Sequence, residues 1–200
     1  DFALLGTNDV TPHWFDAAQS WLRPTAEGWL ALGRETAVHP LWQSLLAEWE
    51  VVAQTDAYTL YRLPAVAETA VPLAEFSSDE GKIALLEGEV GAETAVAPGA
   101  AFTLATRWRQ ESAPQPVKLF VHVVDEAGQI VAQWDGLGVI WQGWREGDTL
   151  WQAHTLTLPA ATTPGVYQVW VGVYHPTSGV RWQTAVSDRF LLGSITVTDK

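Results

Sequence analysis

Cysteine and methionine are both missing from this chain, and basic residues are scarce. Without cysteine there can be no disulfide, no thiolate zinc site and no cysteine nucleophile. A chain that opens on Asp1 and holds no Met is expected to be a processed or excised piece of a longer protein. Only 11 Lys and Arg stand against 23 Asp and Glu, a formal charge of −12. Such a surface repels phosphate backbones and argues against nucleic acid as a partner. It also disfavours electrostatic docking on anionic lipid. No apolar run approaches the ~18 residues of a membrane span, and no leader peptide is visible. No G-x-S-x-G, H-E-x-x-H, Walker loop or G-x-G-x-x-G occurs, so neither a catalytic residue nor a cofactor is assigned.

Two hundred residues with 48% hydrophobic and only 17% charged content support a folded core. The outlier is tryptophan, with 12 copies. Trp favours cores, interfaces and sugar-stacking platforms.

The stretch Val117–Asp135 reads as a hairpin: two apolar, β-branched runs flank Asp125-Glu126-Ala127-Gly128. A second long strand, Val166–His175, follows Pro164-Gly165. Further strands are expected at Lys82–Val90, Ala101–Arg109, Leu150–Leu158, Val180–Gln183 and Arg189–Val197, separated by Pro and Gly. Residues 81–200 are thus expected to form an antiparallel, jelly-roll-like β-sandwich.

Residues 1–63 read differently. Thr11-Pro12 looks like a helix start, with Trp14, Ala18, Trp21 and Leu22 at helical spacing behind it. Gly28–Gly33 reads as a strand, Pro40 opens a second helix, and Glu50–Gln54 and Ala57–Leu63 read as strands around Thr55-Asp56. The order predicts a small α/β unit with a partly parallel sheet, making the chain α+β overall. Gly6–Asp9 reads as a surface turn. Residues 64–80, rich in Ala, Pro and Glu, read as a linker or a strap over the sandwich.

Three histidines, His122, His154 and His175, fall on different strands, but no carboxylate accompanies them in the alternation, so no metal is expected. Asp125, Asp135 and Asp148 sit at strand ends, where turn and capping roles are common. Trp134, Trp141, Trp144 and Trp151 surround the loop at Gly136–Gly147 and read as a structural plug. The face of Val166–His175 opposite the valines carries Gln168, Trp170, Gly172 and Tyr174. Phe120 and His122 alternate to the same side of a nearby strand. Two readings stand for these residues. They form a carbohydrate platform, or they pack beneath residues 1–63 or the linker as an interface.

Leu119–Asp125, Gly128, Gln133-Trp134-Asp135-Gly136, Trp144, Gly147-Asp148, Leu158-Pro159, Pro164–Tyr167, Val171–Tyr174 and Gly179-Val180-Arg181 together follow a recognisable pattern. It resembles the C-terminal extracytoplasmic region of bacterial polytopic GT-C type glycosyltransferases, the protein mannosyltransferase and aminoarabinose transferase group. One departure is Leu137-Gly138 where the family often has Pro. The resemblance covers about residues 80–197. It implies the non-catalytic, extracytoplasmic part of a bacterial membrane protein whose parent uses a polyprenyl-phosphate sugar. Its partners would be a glycan or polyprenyl-linked sugar acceptor, and the membrane through upstream helices. The family's catalytic acids lie in a loop that no position here matches. The alternative is a free-standing carbohydrate-binding or protein-interaction module, and a third reading is a small enzyme with its site between two domains.

Overall fold

The structure, a computed structural model, describes residues 3–6, 13–47, 49–66, 68–88, 90 and 95–198. In chain order the first strands are β1 (Ala3–Gly6), β2 (His13–Phe15), β3 (Ser20–Arg23) and β4 (Gly28–Gly33). Helix α1 (Pro40–Leu46), β5 (Glu50–Gln54) and β6 (Tyr58–Leu63) follow. Then come β7 (Ala74–Ser78), β8 (Gly81–Gly88), β9 (Ala95–Val96) and β10 (Ala101–Gln110). The last are β11 (Lys118–Val124), β12 (Ile130–Gly136), β13 (Thr149–Thr157), β14 (Gly165–Tyr174) and β15 (Phe190–Val197). They form three sheets, ordered β2-β1-β4-β6-β5, β3-β13-β10-β8-β7 and β12-β11-β14-β15-β9. Among the described residues every ladder is antiparallel except the short β15–β9 pair.

The second and third sheets face each other as the sandwich. Alternation decides what lies between them. Leu104 and Trp108 on β10 and Leu150 and Leu156 on β13 enter from one side. Leu119, Val121 and Val123 on β11 and Val169, Val171 and Val173 on β14 enter from the other, all fully buried. Phe102 packs partly buried against the same core. The Trp134 ring on β12 meets the His154 ring on β13 edge-on at 4.3 Å, spanning the two sheets. The β11–β12 hairpin turns as its sequence suggests. Asp125 Oδ1 accepts from Gln129 N at 2.8 Å, and Gly128 takes φ +81°, a conformation glycine adopts without penalty.

The expected α/β unit is not what forms at the N-terminus. Residues 13–23, read as a helix, are β2 and β3 around a tight turn. In that turn Asp16 accepts backbone bonds from Gln19 N and Ser20 N, and its carboxylate accepts from Ala18 N. The local polar side chain outcompetes the helix. The first sheet is antiparallel throughout rather than partly parallel, and α1 is the one α-helix among the described residues. The proposed helix start at Thr11-Pro12 and most of the Gly6–Asp9 turn lie outside the described residues. β3 leaves its neighbours and pairs with β13 of the sandwich, Leu22 opposite Leu150 and Trp21 opposite Trp151. Trp21 then sits between Phe15 (5.3 Å) and Trp49 (5.1 Å), so one continuous core joins the first sheet to the sandwich.

Two further expectations are corrected. The second half of the 64–80 stretch is strand, because Phe76 of β7 is buried in the sandwich core. Residues 180–183 make only isolated bridges, to Tyr174 and Ser77. The hairpin pairs β7–β8, β11–β12 and β14–β15 stay side by side within one sheet. The five other successive steps from β7 to β15 cross between the two sheets. Residues 64–66 and 68–73 carry no strand or helix. Glu68 pairs with Arg107 on the outer face of the second sheet, and Arg109 Nη1 donates to the carbonyls of Glu68 (3.2 Å) and Ala70 (3.4 Å).

Candidate functional site

The outer face of the third sheet brings the five sequence-selected residues together. The β11–β14 register sets His122 opposite Trp170, Phe120 opposite Gly172 and Lys118 opposite Tyr174. Gln168 and Trp170 lie two residues apart on the same side of β14, and Trp170 Nε1 donates to Gln168 Oε1 at 3.1 Å. That bond fixes the indole orientation. The rings of Phe120 and His122 are 4.5 Å apart, and those of Phe120 and Tyr174 6.4 Å apart.

The five residues are not equally accessible. Gln168 is exposed and Trp170 and Tyr174 are half-buried. Phe120 and His122, at 1% and 5% exposure, form the floor. Among the described residues, the β14–β15 connection lies over them. The Arg181 guanidinium carbon lies 4.7 Å from the Phe120 ring centroid, and that of Arg189 lies 4.5 Å from the Trp170 centroid. Arg181 Nη1 is held at 2.9 Å by Asp188 Oδ2. Gly172 lets this happen. A Cβ there would meet the Phe120 ring and the Asp188 carbonyl oxygen.

Sequence reasoning missed several residues on this face. Gln133 and Asp135 of β12 stand opposite His122 and Phe120 and are exposed. The hairpin alternation already encodes that placement. Arg181, Asp188 and Arg189 arrive through a long connection whose path no local pattern reveals. Together they set the electrostatics. Burial, then Arg181, holds the His122 imidazole below its usual range, with Arg189 adding to the effect and Asp135 and Asp188 opposing it. Burial and the nearby Asp135 carboxylate raise Tyr174. Both groups are therefore neutral near pH 7, and the face offers neutral rings, an amide, carboxylates and guanidinium groups.

The three histidines are not brought together. His122 is on this outer face, and His154 lies between the sheets, its Nε2 2.7 Å from Thr106 Oγ1. His175 caps its own turn, its Nδ1 accepting from Thr177 N and Ser178 N. Among the described residues no three His, Cys, Asp or Glu side chains are grouped to hold a metal. The Trp cluster divides. Trp144 is buried and donates from Nε1 to the Asp148 carbonyl at 3.0 Å, whereas Trp151 lies under Arg107 at 5.3 Å. Asp148 also accepts from Thr25 N at 2.9 Å, tying that loop to the end of β3.

No protein-family model matches the sequence, and no curated protein matches it. Among solved structures, the C-terminal domain of wzt is similar at a TM-score of 0.44 and 10% identity, over 66% of this chain and 81% of that one. A family 123 glycoside hydrolase from Clostridium perfringens is similar at 0.38 and 12% identity, over 54% of this chain. The match spans only 22% of the hydrolase. At these scores neither neighbour bears on activity.

Proposed function

We propose that this chain is a non-catalytic β-sandwich module that binds glycan on the outer face of its third sheet. The observation that carries the reading is the grouping of Trp170 and Tyr174 with Gln168, Gln133 and Asp135 on one strand-borne face. A pyranose ring has an apolar C–H face, which packs on flat aromatic surface, and a rim of hydroxyls. Planar amide, carboxylate and guanidinium groups bond adjacent hydroxyls in pairs. β-strands hold such groups at fixed spacing, so little side-chain freedom is lost on binding. The net gain per hydroxyl is small because each gives up water, so the affinity is modest.

Calorimetric titration with a panel of neutral and acidic oligosaccharides tests this. Binding of at least one class, lost in Trp170→Ala, is the expected result. Heats unchanged by Trp170→Ala, or absent for the whole panel, would overturn it.

The resemblance of residues 80–197 to GT-C transferases favours a compatible placement of the module. It would be the extracytoplasmic portion of a bacterial membrane glycosyltransferase-like protein, engaging a glycan or polyprenyl-linked acceptor. Sequencing upstream of Asp1 tests that placement. Several apolar stretches of about 20 residues support it, and a leader peptide alone favours a free-standing module.

A further inference from the structure

The two guanidinium groups over this face are not equivalent. Arg181 lies on Phe120 with its charge matched by Asp188. Arg189 lies over Trp170, and among the described residues no carboxylate pairs with it. A guanidinium resting on an indole spends its flat face on the ring. A guanidinium stacked in this way keeps its N–H donors at its edge. That fork of coplanar donors matches a carboxylate in two parallel bonds. The indole beneath is itself held by Gln168, so the stack has a fixed base.

The surroundings reinforce the point. The chain as a whole carries 23 acidic and 11 basic residues. On this face, however, Lys118, Arg181 and Arg189 gather against Asp135 and Asp188. Arg181 and Arg189 both lower the buried His122 imidazole, with Asp135 and Asp188 opposing them. Elsewhere among the described residues, Arg62 pairs with Glu27, Arg107 with Glu68 and Arg109 with Glu111. An unpaired cation beside hydrogen-bonding planar groups is suited to one kind of ligand. We infer that Arg189 is the anion-pairing residue of this face and that the ligand class is saccharide bearing a carboxylate, of the uronic-acid type. The assignment rests on the glycan reading above. The carboxylate on the edge of a uronic-acid ring reaches the Arg189 fork while the sugar body lies beside Trp170 and Tyr174.

The test compares a uronic-acid oligosaccharide with its carboxyl-reduced counterpart, by calorimetry on the full chain. The acid is expected to bind about tenfold more tightly. The preference should shrink as salt rises. Arg189→Gln keeps a planar amide to lie on the indole but removes the charge. It should lower acid binding to the level of the reduced sugar while the melting temperature stays near that of the parent. Arg62→Gln, on the first sheet, should leave the preference intact. Equal binding of acid and reduced forms overturns the inference and leaves glycan binding standing. A preference that survives Arg189→Gln overturns the residue assignment. Absence of binding to either sugar overturns the glycan reading and this inference with it.

Discussion

The Phe120 ring lies directly against Gly172 of the neighbouring strand, where a Cβ would stand 2.3 Å from Phe120 Cζ. The Asp188 carbonyl oxygen, 3.1 Å from the same point, closes the other side. Gly172→Ala is therefore expected to destabilise the fold by about 1–3 kcal/mol, the usual cost of overpacking. Urea unfolding measures it. The cost should fall in a Phe120→Leu background, because the obstructing ring is gone, and a double-mutant cycle reads the coupling. Equal costs in both backgrounds would place the strain elsewhere.

Val171 is fully buried between the sheets and faces Val121 across the β11–β14 ladder. Val171→Ala should cost roughly 1–3 kcal/mol through lost transfer energy and the cavity left behind. A thermal melt unchanged by this substitution would contradict the strand phase.

His154 gives the fold a specific acid sensitivity. Burial pushes its imidazole down to about 3 from an ordinary 6.5. Thr106 Oγ1 accepts from Trp108 Nε1 at 2.6 Å, so its hydroxyl proton is free to donate to His154 Nε2. The ring is thus buried in its neutral form. The folded value lies below the unfolded one, so the unfolded chain takes up the extra proton. The stabilising contribution is fully present above pH 6.5 and is lost as the pH falls from there towards 3. The limiting slope from this residue is about 1.4 kcal/mol per pH unit. Urea midpoints between pH 7 and 5, a window above most carboxylate titration, should show the decline. His122 shifts the same way and adds to it. A His154→Gln variant should show a flatter profile, and an unchanged slope would reject the assignment.

The strap at 64–73 is held by charge rather than by a core of its own. Arg107, little exposed, pairs with Glu68 from the strap and Glu87 from β8 above the Trp151 ring. Glu68→Ala leaves Arg107 its second partner, so the loss should be roughly 1–2 kcal/mol, between the exposed and buried limits. Hydrogen exchange should rise across 64–73 while the β10 and β13 amides stay protected.

Legibility from sequence followed the range of the forces involved. β8, β10, β11, β13, β14 and β15 lie within two residues of their expected bounds, because a half-buried strand writes its two faces into alternate residues. Trp170 and Tyr174 were assigned to the outer face for the same reason. The helix expected through Trp21 failed because residues 18, 21 and 22 satisfy a helical spacing while Asp16 closes a turn that local periodicity does not weigh. The burial of Phe120 and His122 was illegible for a third reason. Their cover is Arg181 and Asp188, brought back from more than fifty residues away. The departure at Gly138 was visible but not its meaning. A Cβ there would come within 2.5 Å of Ser20 Oγ, and that hydroxyl donates to the Gly138 carbonyl at 2.6 Å.

β3 makes the sandwich a debtor to the chain that precedes it. Four residues from the N-terminal region form the outermost rung beside β13, and Leu22 contributes a fully buried side chain to the core. A fragment starting at Pro64 would leave the β13 edge with unpaired peptide groups and an apolar slot where Leu22 had been. Such an edge invites a second copy or a neighbouring strand, so the truncated sandwich should self-associate more than the whole chain. The third sheet, on the opposite side, is therefore not a unit that recombination or engineering could transplant by cutting at the change in composition. Whatever is grafted elsewhere must carry residues 20–23 with it.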